Sequence, residues 1–194
     1  MEQEKEKQHS ILRDALDYLA ELVRVVVISL AIILPVRYFL VQPFYVKGAS
    51  MEPNFYDHEY LIIDELSYRL RNPARGEIVV FRYPEDPRQF FIKRVMGLPG
   101  ETVEIKNGKL AIKNTEFLNG AAINEPYLDK GSVLYGEYRA TLGPEEYYLL
   151  GDNRKSSLDS RTFGPVTRRY IIGRAWLRGW PLDRVTRFLT PTYE

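Results

Sequence analysis

One segment narrows what this chain can fold into more than any other. Leu22 to Val41 is a 20-residue window whose two charges, Arg24 and Arg37, lie towards its ends, and Val25 to Val36 is apolar apart from Ser29. About 20 apolar residues suffice to cross the hydrocarbon of a bilayer as a helix, and long arginine stems carry their charges to the interfaces. Upstream, Leu12, Ala15, Leu16, Leu19, Leu22, Val23 and Val26 recur at three- and four-residue steps among Arg13, Asp14, Asp17 and Glu21, the pattern of an amphipathic helix. The expectation is an amphipathic segment over 1–21 running into a single transmembrane helix over 22–41. Pro35 bends that helix without breaking it, and Tyr38, Phe39, Phe44 and Tyr45 form an aromatic belt on the exit side. A buried core helix, a cleaved signal segment ending near Gly48 and a helix lying flat in the interface compete with the span. Lys5, Lys7 and Arg13 precede the window, whereas Lys47 is the one basic residue between Gln42 and Tyr60. That bias keeps the N-terminus cytoplasmic and puts residues 42–194 outside the plasma membrane.

The outer part reads as strands. Tyr60–Ile63, Glu77–Arg82, Phe90–Met96, Thr102–Lys106, Lys109–Lys113, Tyr147–Leu150 and Tyr170–Leu177 are short, rich in β-branched or aromatic residues, and separated by Arg75-Gly76, Leu98-Pro99-Gly100, Asn119-Gly120 and Gly143-Pro144. Asn107-Gly108 between two alternating runs predicts a two-residue hairpin of type I′. The expected fold is mainly β, an antiparallel, barrel-like catalytic domain on one N-terminal transmembrane helix, with 114–145 its least defined stretch.

Composition then limits the chemistry. The 194 residues include no cysteine and only His9 and His58, which excludes a thiol enzyme and leaves little for a metal centre; no metal or organic cofactor is expected. With 27 basic and 26 acidic side chains, net charge +1, no global field draws nucleic acid to the chain. Serine is the favoured nucleophile, and Ser50 in Gly48-Ala49-Ser50-Met51-Glu52-Pro53 follows a small, glycine-containing approach that admits a bound chain, its own amide a donor to an oxyanion. Lys93 is the candidate base. On a strand it shares a face with Phe91 and Val95, while Arg94 points away with Ile92. Apolar burial of that kind lowers a lysine pKa by up to about 3–5 units, enough to supply a neutral amine. Against this stands an ordinary lysine in a Lys-Arg pair, a loop serine, and a surface charge cluster at Gly151-Asp152-Asn153-Arg154.

Taken in order, Gly48–Pro53, Arg75–Phe81, Ile92–Glu101 and Gly151-Asp152-Asn153-Arg154 through Ser157, Asp159, Ser160 and Arg161 resemble the type I signal peptidases, membrane-bound Ser/Lys proteases that remove signal peptides from exported proteins. The single span and short insertions resemble the compact Gram-positive style of the family. The resemblance implies Ser50 as nucleophile, Lys93 as general base and Ser157 as the hydroxyl that orients the lysine. It also implies scaffolding pairs Arg94 with Asp152 and Asp159 with Arg161, and shallow pockets for small residues lined by Val46, Met51, Phe55, Phe91 and Ile92. The implied partners are signal-peptide-bearing preproteins, the lipid bilayer and the secretion machinery. Exposed apolar side chains near the active-site rim, Phe44 and Trp176 to Pro181, are candidates for bilayer docking, against which stands a plain core role for these aromatics, the favoured use for Trp176.

Three positions depart from the family pattern. Gly48 stands where some members carry a serine that helps the oxyanion hole, so the oxyanion region reads as Gly48 and Ser50 with its second donor open. Asn54 replaces a threonine and Glu77 an aspartate, changes expected to affect loop geometry only. A bacterial repressor-type Ser/Lys autoprotease shares the lysine-base logic, but its DNA-binding helices are missing. An inactive homologue serving as a membrane-anchored binding module for export partners is the alternative from another class.

Overall fold

The computed structural model describes residues 2–39, 41–129, 132–191 and 193, with side chains described for 16–34 and, within those ranges, from 43 onward. The chain divides into two compact units after residue 40. The first is one helix, α1 (Glu2–Phe39). Its apolar side chains from Leu16 to Leu34 are exposed. Among the described residues no helix is long and apolar enough to cross a membrane. The expected span overlaps residues 35–41, and the expected belt Tyr38 and Phe39, whose side chains lie outside the described residues.

The helix gives way to strand sooner than the apolar window suggested. β1 (Val41–Tyr45) pairs antiparallel with β2 (Tyr60–Asp64), from Val41 opposite Asp64 to Tyr45 opposite Tyr60. Phe44 and Tyr45, expected in a bilayer belt, therefore belong to the sheet. A pairing partner decides this, which hydropathy does not register. The chain continues through α2 (Ser67–Leu70), β3 (Ile78–Arg82), β4 (Phe90–Gly97), β5 (Thr102–Lys106), β6 (Lys109–Lys113), β7 (Ala121–Ala122) and β8 (Tyr138–Thr141). It ends with β9 (Glu146–Leu150), α3 (Ser160–Phe163), β10 (Val166–Thr167), β11 (Ile171–Trp180) and β12 (Thr186–Arg187). All seven expected strands form, within a few residues of their expected ends. Among its described residues, the poorly defined stretch contributes β7 and β8 alone.

The large sheet runs β1-β2-β11-β3-β4-β9-β10, with β12 on β11, and a second sheet runs β7-β6-β5-β8. Every pairing is antiparallel. The sheet does not close into the expected barrel, because its path ends on β1 and β10 without joining them. It curls nonetheless: Phe44 of β1 and Phe90 of β4 meet edge to face at 5.5 Å although three strands separate them in the sheet order. Asn107 and Gly108 both take positive φ, 51° and 74°, as the type I′ hairpin requires.

Alternation along β3 separates two cores. Ile78 and Val80 pack with Val46, Met51, Phe55, Leu61, Ile63 and Ile92. Val79 and Phe81 face the other way, against Val95, Tyr147, Leu149 and Val166. Glu77, just before β3, does more than shape a loop. It is buried and accepts hydrogen bonds from Tyr68 Oη at 2.9 Å, Ala74 N at 2.8 Å and Arg71.

Candidate active site

Ser50 is placed by its neighbours. The loop after β1 turns through Glu52 N to Ala49 O at 3.2 Å and Phe55 N to Met51 O at 2.9 Å. Met51 and Phe55 are fully inside the core, so the loop is pinned from below while Ser50 stays half-buried and accessible. Opposite it lies Lys93 on β4, where that strand pairs with β3 at Val79. Lys93 Nζ donates to Ser50 Oγ at 2.8 Å and to Ile92 O at 2.8 Å, and sits 5.4 Å from the Phe91 ring centre.

The lysine is 3% exposed. Burial pushes its pKa from 10.5 down to about 8, against the smaller upward pull of the Asp159 and Asp152 carboxylates. Burial wins because neither carboxylate contacts the amine; each is occupied by an arginine. At pH 7 about one molecule in ten then carries a neutral amine, where a free lysine would offer about one in three thousand.

The loop 151–161 encloses the pair. Arg94, also buried, holds Asp152 through Nε to Oδ1 at 2.8 Å and Nη2 to Oδ2 at 2.6 Å, and its guanidinium stacks 3.8 Å from the Tyr127 ring centre. Asn54 Nδ2 adds a third donor to Asp152 at 2.8 Å, so this residue supports the site itself rather than loop geometry alone. Arg161 forks onto Asp159 with both contacts at 2.8 Å, and Gly151 N donates to Asp159 at 3.1 Å. Burial pushes the Asp159 carboxyl up, but Arg161, Gly151 N–H and Ser157 outweigh it and hold it below the ordinary value. Its contribution to stability is full above the unfolded carboxylate pKa of 3.8 and is lost as pH falls through the lower folded value.

Ser157, expected to orient the lysine, makes no hydrogen bond to it among the described contacts. Its Oγ is buried beside Asp159, and the hydrogen bonds of Lys93 go to Ser50 and Ile92 instead. Gly151 is the spacer between these parts. A Cβ there would stand 2.1 Å from Ser157 Oγ and 2.5 Å from Ser50 O. Gly151→Ala is expected to push both serines off position and lower peptide cleavage at least about 100-fold, since small displacements of reacting groups cost on that scale. Steady-state kinetics checks it, with a melting curve to show that the fold survives.

A cleft of about 580 Å³ opens over the pair, lined by Phe44, Val46, Phe90, Phe91, Ile92 and Leu158 among others. Of the expected pocket residues, Val46, Phe91 and Ile92 are on its walls. Met51 and Phe55 are not, because the turn that presents Ser50 drives both into the core. Phe44, expected at the rim, is on the cleft wall as well, whereas Phe90 and Leu158 carry no chemical signature in the sequence, though each adjoins a residue already singled out. Gly48 has positive φ of 86°, and its amide donates to Asp57 Oδ1 at 3.0 Å. The Gly48 amide, one half of the expected oxyanion region, is thereby committed to a carboxylate.

The chain as a whole is similar to known proteins. A family model described as "Signal peptidase, peptidase S26" matches residues 19–180. Probable signal peptidase I-2 of Synechocystis is 38% identical over 172 residues, covering 85% of this chain and 75% of that protein. Signal peptidase I of Leptolyngbya laminosa is 36% identical, over 86% of this chain and 82% of the relative. Signal peptidase I P of Bacillus subtilis subsp. natto is 32% identical, over 95% and 97% respectively. Since the match runs from α1 to the end of β11 and extends over most of each relative, this chain belongs to the signal peptidase family, peptidase S26.

Proposed function

We propose that this protein is a membrane-anchored serine endopeptidase that removes signal peptides from exported proteins after small-x-small sequences, with Ser50 as nucleophile and Lys93 as general base. The observation that carries this reading is the 2.8 Å contact between a hydroxyl and a lysine that burial has brought close to neutrality. In the protonated enzyme Lys93 donates to Ser50 Oγ. Once Nζ loses a proton the same contact reverses, the hydroxyl donates to the amine, and Oγ becomes able to attack the scissile carbonyl. The proton taken by Nζ passes to the departing amine, leaving an acyl ester on Ser50. Lys93 then takes a proton from the incoming water, whose oxygen adds to the ester carbonyl, and returns that proton to Ser50 Oγ as the acyl bond breaks, which restores the serine and leaves the signal peptide with a free carboxylate. Ile92 O holds one amine hydrogen throughout, which keeps the lone pair turned towards the serine.

Substrate binding follows from the cleft. β9 pairs with β4 only from Arg94 onward, so Phe90 to Lys93 have a strand neighbour on one side alone. An extended peptide can add there, its side chains alternating towards Val46, Ile92 and Leu158. Val46 and Ile92 are themselves nearly buried, so the depressions between them are shallow and favour small side chains. The exposed apolar residues of α1 support anchoring in lipid, and two chains held in one bilayer meet at raised effective concentration.

Cleavage of a synthetic small-x-small peptide by the detergent-solubilised chain tests the proposal. Expected are a cut after the second small residue and none with Ser50→Ala; a wild-type chain that leaves the peptide intact overturns it. In addition, kcat/KM should rise tenfold per pH unit and level off near pH 8, where Lys93 becomes neutral. A rate that falls with rising pH through that range would point to a protonated lysine acting as acid.

A further inference from the structure

With the Gly48 amide tied to Asp57, the Ser50 amide is the remaining donor of the expected oxyanion region, and its direction matters because hydrogen bonds weaken steeply as they bend. That amide belongs to the same peptide unit as the Ala49 carbonyl. The bond between them is trans, so the two groups point in opposite directions from one rigid plane, and whatever holds the carbonyl aims the N–H.

Asn153 is what holds it. Its Nδ2 donates to Ala49 O at 3.0 Å, while its backbone N donates to Ser50 O at 3.1 Å, so one residue grips two successive carbonyls around the nucleophile. The carboxamide is itself turned the right way: its Oδ1 accepts from Ser156 N at 3.3 Å, which leaves the NH2 end facing Ala49. The other bond to Ala49 O comes from Glu52 N at 3.2 Å, within the same turn, and does not tie that turn to the rest of the site. The Ser50 amide takes part in none of the hydrogen bonds of this loop.

We infer that Asn153 is a positioning residue for the oxyanion hole, aiming the Ser50 amide at the substrate oxyanion by holding the Ala49 carbonyl of the same peptide plane. The inference rests on the proteolytic reading above. It places the effect of Asn153 in the tetrahedral state, where the carbonyl oxygen carries charge, and leaves the ground-state complex untouched. The Lys93 environment also stays as it is, because Asn153 bears no charge and makes no contact with the amine.

Asn153→Ala in the full chain, assayed on a small-x-small peptide in detergent, provides the test. Expected is a fall in kcat of about 100-fold with KM within about threefold of wild type, the scale of losing one oxyanion donor. The pH at which kcat/KM levels off should not move, and Asn153→Gln, which retains the carboxamide, should recover part of the rate. A peptide aldehyde of the same sequence, whose adduct with Ser50 carries the oxyanion, should lose affinity in proportion to kcat. Binding of a reduced-amide peptide, which has no such oxygen, should not change. Asn153→Ser, also lacking the carboxamide, gives the same reading should Asn153→Ala fail to fold. An unchanged kcat in a folded variant, or equal losses for aldehyde and reduced amide, overturns the inference. Failure of the wild-type chain to cleave would overturn the proteolytic reading instead, so the two outcomes remain distinct.

Discussion

Lys93→Met is expected to lower kcat/KM by at least about four orders of magnitude, the upper range for removal of a general base that also activates the nucleophile. Methionine matches the lysine stem in length and is at home in an apolar setting, so the loss reports the amine and not a hole in β4. Because Ser50 and Lys93 act as a unit across one 2.8 Å contact, the double variant Ser50→Ala, Lys93→Met should be no less active than either single variant. Additive losses in that double variant would mean that each residue works separately, and the proposed proton transfer would fail. Stability should move the other way. The folded pKa of Lys93 lies at about 8 against 10.5 for the free group, so below pH 8 the fold bears the cost of a buried charge, about 3 kcal/mol. Between those two values the unfolded chain still holds the proton that the folded chain has shed, and wild-type stability rises with pH. Lys93→Met removes the penalty and is expected to melt higher than wild type at pH 7, with the advantage gone above pH 10.5. Melting curves at several pH values would show it.

The largest loss of stability is expected from Arg94→Leu, about 3–5 kcal/mol, because it leaves Asp152 as an uncompensated charge with no exposure to water. Arg94 also donates to Gly76 O at 2.9 Å and stacks on Tyr127, and both contacts go with it. For a domain of this size the change corresponds to a drop in melting temperature on the order of 10 °C. Adding Asp152→Leu should restore part of the loss, since it removes the stranded charge, although the bonds of the pair to Gly76 O and Asn54 are not regained. Cleavage measured well below the melting point should stay within about tenfold of wild type, because neither residue touches Ser50 or the amine. If Arg94→Leu is as stable as wild type, the pair is not the support for the 151–161 loop that its geometry implies.

These two residues, adjacent on β4, mark how far the sequence could be read. The alternation of Phe91, Lys93 and Val95 against Ile92 and Arg94 was visible as a pattern, and it anticipated an amine in apolar surroundings. It did not anticipate that Arg94 would be buried as well, since that depends on β9 bringing Asp152 to the other side of the strand. The type I′ hairpin was legible because Asn107-Gly108 fixes its own dihedral angles locally. Val41, at the end of the expected span, and Phe44 and Tyr45, of the expected belt, lie on β1, because hydropathy carries no mark of the partner with which a segment pairs.

By itself, the sequence determined the kinds of chemistry open to this protein: a chain without cysteine and with two histidines, carrying a small-residue loop around Ser50 and a lysine on an apolar strand, has few nucleophiles and one plausible base. Local rules determined the strands and turns in the same way, because alternation and turn propensity act over a few residues. Only the tertiary structure decided which groups meet. It brought Ser50 to Lys93 across 43 positions, sent Met51 and Phe55 into the core instead of the cleft, committed the Gly48 amide to Asp57, and set Asn153 against Ala49. The physical reason is that desolvation, hydrogen-bond direction and steric exclusion depend on distances in space, and residues far apart in the chain acquire such distances only when a sheet curls and its loops converge.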